Sequence, residues 1–187
     1  MRIGALVVAV ALTMAGCSSP SSKPAEAPAA PAAAAGPTAQ PYGNLAQMMQ
    51  AIPFPASNII FDTQTNDPGK AKEAAGAAGA GAGATSSFSG VYGGWTAVEN
   101  AAIALQETAN LVMIPGRKCR NGRAVPLDQE TFKKGAKALA DAGAAALKAA
   151  QSKNLDAMVD VSGTVSDACT VCHEKYRDVP DEKDRCM

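Results

Sequence analysis

Val91, Trp95, Val98, Ala102, Leu105, Ala109 and Val112 follow one another in steps of four and three without a slip. A strand cannot use that spacing, because its side chains alternate between faces and its apolar positions recur every second residue. On an α-helix the same steps trace one apolar stripe. That segment runs from about Ser89 to Ile114, where "PGR" at 115–117 stops it. Three further segments repeat the rhythm. The first spans about Tyr42 to Thr63 and carries Leu45, Met49, Ile52, Ala56 and Ile59. The third opens at "VPLDQETF", with Asp128 as its expected cap, and carries Phe132, Ala136, Leu139, Gly143, Ala146 and Ala150. The last carries Leu155, Met158, Val161, Val165, Ala168 and Cys172 and ends near "DVP" at 178–180. Each is on the order of 25 residues, or about 37 Å long. Similar lengths and seams of this spacing predict an all-α chain, an antiparallel up-down-up-down four-helix bundle. Pro53 and Pro55 interrupt the first segment and predict a kink or a break there. The seams are rich in alanine, so the bundle buries little apolar area unless its helices approach very closely or enclose something large.

The N-terminus reads as an export signal at 1–16, with Arg2 ahead of the short apolar run "IGALVVAVALTM". "LTMAGC" resembles a bacterial lipoprotein box, which implies lipidation of Cys17 and a membrane anchor; a conventionally cleaved signal is the alternative. Ser18 after that cysteine implies, within the lipoprotein family, the outer membrane facing the periplasm. Residues 17–41 then form a Pro/Ala-rich tether, and 42–187 the domain. Within the domain a Gly/Ala stretch at about 67–87 is too glycine-rich for a stable helix and reads as a loop. The chain has 17 Lys and Arg against 17 Asp and Glu, so its charge balance offers nothing to a nucleic acid.

Five cysteines and one histidine carry the chemistry. Cys169-Thr170-Val171-Cys172-His173 is a C-x-x-C-H sequence, the attachment signature of c-type haem. Two thiols one helical turn apart reach the same porphyrin edge and add across its vinyl groups, and the adjacent imidazole becomes the proximal iron ligand. A zinc site needs two more ligands and no other histidine exists. A thioredoxin-type pair belongs after a strand, whereas this one lies inside a helical pattern. One covalent haem, placed on the last helix, also supplies the bulk that the alanine seams lack. With Cys17 assigned to lipid and Cys169 and Cys172 to haem, Cys119 and Cys186 remain, and export makes them a candidate disulfide.

The ending "CTVCHEKYR" and the placement of the motif near the end of the chain resemble class II cytochromes c, the cytochromes c′ and their low-spin relatives. The resemblance covers roughly residues 42–180 and implies a four-helix bundle with the haem on the final helix. It also implies a position near the haem for Arg177, one turn beyond His173; a solvated helix-end cation is the plain alternative. In an up-down-up-down bundle the start of helix one meets the end of helix four. Low-spin members of the class take a methionine from that region as sixth ligand. Met49 lies on the seam and Met48 about 100° off it; Met49 is the expected ligand, Met48 the lesser choice, and an open sixth position the remaining one. The expected function is periplasmic electron transfer between redox proteins with His/Met axial ligation, without enzymatic activity. The alternative is a cytochrome c′-type protein that binds nitric oxide or carbon monoxide. The class also allows a homodimer.

Overall fold

The computed structural model describes residues 38–70 and 92–186. The expected signal, Cys17, most of the tether, residues 71–87 of the Gly/Ala stretch and Val91 lie outside the described residues. Among the described residues there are five α-helices: α1 (Leu45–Ala51), α2 (Pro53–Asp62), α3 (Trp95–Leu111), α4 (Glu130–Gln151) and α5 (Leu155–Tyr176). Among the described residues the only strand-like pairing is an isolated bridge between Lys118 and Ala124. Taken together, α1 and α2 form the first member of an all-helical four-helix bundle, as the seams predict.

That first member is not the single helix expected over 42–63. Ile52 departs from ideal helical angles, at φ −120° and ψ −70°, while staying in the right-handed region. Pro53 and Pro55 have no N–H groups, so the carbonyls of Met49 and Ala51 lose the donors a continuous helix would supply. The ladder resumes at once, with the Ala56 N–H donating to the Ile52 carbonyl at 3.2 Å. The expected stripe is corrected as well. Leu45, Ala46 and Met48 are the buried residues of α1, and Pro53, Ala56 and Ile60 those of α2. Met49, Ile52 and Ile59 are only partly buried. A box of reciprocal bonds starts α1: Asn44 Oδ1 accepts from the Gln47 N–H at 2.9 Å, and Gln47 Oε1 accepts from the Asn44 N–H at 3.0 Å.

The other three seams are buried largely as spaced, with Leu105, Ala146, Met158 and Val165 at 0% exposure. Asp128 does not cap α4. A turn in which the Gln129 N–H donates to the Pro126 carbonyl places Gln129 at the cap, and its side chain makes no capping bond. Gly143 lets α3 and α4 close up: a Cβ there would lie 2.8 Å from Gln106 Cγ and 3.0 Å from the Ala102 carbonyl oxygen. α3 and α4, and α4 and α5, share the broadest interfaces, whereas α2 meets α5 only sparsely. The bundle is therefore tight on one side and loose on the side where its first and last members meet.

Residues 112–129 cross the end of the bundle as a braced loop. Arg117 is buried, and its Nη1 and Nη2 donate to the carbonyls of Gly43 and Leu111 at 2.8 and 3.1 Å. The Leu45 N–H donates to the Lys118 carbonyl at 2.8 Å. Cys119 and Cys186 form the expected disulfide, with Cα atoms 4.5 Å apart. Leu45, Met48, Phe132, Tyr176 and both bridged cysteines make a second small core at this end.

Candidate functional site

The sparse contact between the first and last members leaves a cavity of about 890 Å³, open to solvent on one side. This is at the large end of the range of about 300–1,000 Å³ typical of small-molecule and cofactor sites. Met49, Phe54, Leu139, Cys169, Cys172 and His173 are among its walls. Each expected haem-site residue, Arg177 included, thus borders one space, with one exception. Met48 does not line it; its side chain is buried in the second core instead.

α5 positions the motif. Asn154 caps the helix, its Oδ1 accepting from the Ala157 N–H at 3.0 Å, and the ladder runs unbroken to Tyr176. Helical spacing puts Cys169 and Cys172 on neighbouring turns of one face, and both remain free thiols. Burial pushes both thiols up, Cys172 to about 11 with a further contribution from Cys169; the Arg177 charge opposes the rise at Cys169. Burial, then Arg177, lowers the His173 imidazole, with Asp178 opposing. At neutral pH the site therefore offers two protonated thiols and a neutral imidazole, the form in which histidine binds a metal.

Tyr176 packs as expected. Its ring lies edge-on to Phe132 with centroids 5.5 Å apart, and its hydroxyl donates to Gln129 Oε1 at 2.9 Å. Arg177 is held by its neighbour: Nε and Nη2 donate to the two Asp178 carboxylate oxygens at 2.6 and 2.9 Å. Among the described residues no group of three or more His, Cys, Asp or Glu side chains could hold a metal ion by itself. The donor set and the space fit a haem: two thiols and an imidazole on one edge of an apolar cavity of cofactor size, with a thioether in another wall.

Sequence reasoning missed Gly135 and Arg185. Gly135 faces the motif so closely that a Cβ would lie 2.1 Å from Cys172 Sγ. A glycine inside a helix beside the seam residues Phe132 and Ala136 was the available signal. Arg120 and Arg185 border the cavity, and each is the chain neighbour of a bridged cysteine.

A four-helix all-α domain whose last helix presents C-x-x-C-H to a large apolar cavity is of the class II cytochrome c type. Residues 94–177 match the family model described as Cytochrome C′, which supports a cytochrome c′-like, class II c-type cytochrome. The matched segment contains α3, α4 and α5 with the motif; α1, α2 and Met49 precede it. No curated protein sequence and no solved structure matches the chain significantly. The family implies a covalently bound c-type haem.

Proposed function

We propose that this cytochrome is a single-haem electron carrier, with the haem bonded through Cys169 and Cys172 and its iron held between His173 and Met49. The observation that carries this reading is the division of labour between adjacent methionines: Met49 shares the cavity with His173 and both thiols, while Met48 is packed away from it. When bound, the haem supplies a one-electron iron couple. The chain's own part is to orient and to exclude. α5 holds the imidazole next to both thiols, α1 offers a soft thioether that favours the reduced metal, and Leu139 and Phe132 keep the interior wall apolar. Were His173 and Met49 both to hold the iron, they would leave no position for a substrate, so on this reading the protein is a carrier and not an enzyme.

Its place follows from the N-terminal segment. Export to the periplasm, an outer-membrane anchor through lipidated Cys17 and exchange of electrons with periplasmic redox proteins together form the proposed setting. Among the described residues no helix is long and apolar enough to cross a membrane.

Absorption spectra of the haem-loaded protein test the reading. A low-spin ferric spectrum with a methionine–iron band is expected, and Met49→Ala converts it to high-spin while Met48→Ala does not. A high-spin spectrum in the unaltered protein, with nitric oxide or carbon monoxide binding directly, would replace the carrier by the gas-binding alternative.

A further inference from the structure

Where the end loop meets the cavity, its border carries three guanidinium groups, on Arg120, Arg177 and Arg185, against one carboxylate, on Asp178. Arg177 is committed to Asp178 by two hydrogen bonds. The other two stand differently. Arg185 is anchored through Nε on the Val179 carbonyl at 2.9 Å, and its Nη1 lies 3.4 Å from exposed Glu182 Oε1, a long contact at the surface. Arg120 is exposed, and among the described residues no hydrogen bond or ion pair engages its guanidinium.

These two arginines come from the middle and the end of the domain's sequence and share one platform. Arg120 follows Cys119, Arg185 precedes Cys186, and the disulfide joins the two segments. The Arg120 N–H donates to the Cys186 carbonyl at 3.2 Å. Asn121 Nδ2 donates to the carbonyls of Lys183 and Arg185 at 2.9 and 2.7 Å. The Cys186 N–H in turn donates to the Tyr176 carbonyl at 2.7 Å, fastening the platform to the end of α5.

Building on the haem assignment above, we propose that Arg120 and Arg185 form a disulfide-laced clamp for the two carboxylates of the prosthetic group. A porphyrin that enters an apolar cavity brings two carboxylates, and carboxylates near an apolar wall demand cationic partners. Arginine suits the task because its planar fork meets a carboxylate with two parallel N–H donors. The clamp also acts on the iron. A carboxylate stripped of its cation leaves a negative charge near the metal and favours the more positive ferric state.

Redox titration of the haem-loaded protein tests the clamp, using Arg120→Gln, Arg185→Gln, their combination, and Lys118→Gln as an exposed cation of the same loop that does not border the cavity. The combined variant should shift the ferric-to-ferrous ratio toward ferric by about tenfold, a midpoint lower by about 59 mV for a one-electron couple. Lys118→Gln should shift it by no more than about twofold, the effect of a screened surface charge. Cys119→Ala with Cys186→Ala should move the midpoint the same way, and in that background the arginine substitutions should lose about half of their effect or more, the signature of coupled sites. If the cysteine variant does not accumulate, Asn121→Ala, which unlaces the platform and keeps the disulfide, should give a partial shift in the same direction. Arginine variants that move the midpoint no further than Lys118→Gln overturn the clamp. An undiminished arginine effect without the disulfide, or no shift in Asn121→Ala, overturns the lacing. A chain that carries no haem removes the site reading itself, and one that carries haem but ignores both arginines removes the clamp alone.

Discussion

At Gly135 the space that a side chain would fill belongs to Cys172 Sγ, which would stand 2.1 Å from an added Cβ. Gly135→Ala therefore has to displace the cysteine. The expected result is a larger share of chains joined to haem by one thioether only, read by intact mass after chemical treatment that releases haem held without bonds. Gly143 meets a less yielding neighbour, because one of its contacts is the Ala102 carbonyl at 3.0 Å, part of the α3 backbone. Alanine is the better helix former by about 1 kcal/mol, yet the clash should outweigh it. Gly143→Ala should lower the unfolding free energy by about 1–3 kcal/mol in urea titrations, the usual cost of overpacking. An increase would show that α3 and α4 can part without loss. The two methionines of α1 make the same point about fine placement. Spacing puts residues 48 and 49 about 100° apart, but which of them points into the core depends on how α1 lies against Phe132 and the 112–129 loop.

Between residues 45 and 62 the element boundary decides the site. Proline at 53 and 55 guarantees lost hydrogen bonds, and sequence alone left open whether the chain would bend or part. The structure shows a one-residue interruption at Ile52 that separates α2 from α1 and leaves α1 with only 7 residues. A helix that short has little stability of its own, so it relies on its capping box and on the packing of Leu45 and Met48. Asn44→Ala should cost about 1 kcal/mol in chemical denaturation. Because α1 carries Met49, the same variant should also raise the high-spin fraction of the oxidised haem protein; a purely low-spin spectrum would show that Met49 does not depend on the cap. The capping residue of α4 could not be read from Asp128, because the turn from Pro126 to Gln129 sets the first helical carbonyl one residue later.

For the whole molecule, the disulfide and the cavity work against each other. A space of about 890 Å³ between the first and last members weakens the bundle, while Cys119–Cys186 closes a loop with a sequence separation of 67 at the same end. In the chain-entropy model a loop of that length is worth about 4 kcal/mol. Cys119→Ala with Cys186→Ala should lower stability by about 2–4 kcal/mol, measured by equilibrium unfolding. Filling the cavity should act in the opposite sense. Cys169→Ala with Cys172→Ala, expressed without haem attachment, should unfold at a lower temperature than the loaded protein and bind an apolar fluorescent dye, since a ligand held only by the folded state stabilises that state. Equal melting temperatures would mean that the alanine core is complete without the haem.

Neighbouring residues along the chain were enough to state the helices, the C-x-x-C-H chemistry and the pairing left to Cys119 and Cys186, because each depends on local spacing or on which side chains remain. Packing decided everything that depends on rotation and distance between elements. It buried Met48 in the second core and left Met49 on the cavity wall, set Gly135 against Cys172, and drew Arg120 and Arg185 from distant segments to one border. Helical periodicity limits a face to within about a quarter turn, and only contact with the other helices selects the residue on it.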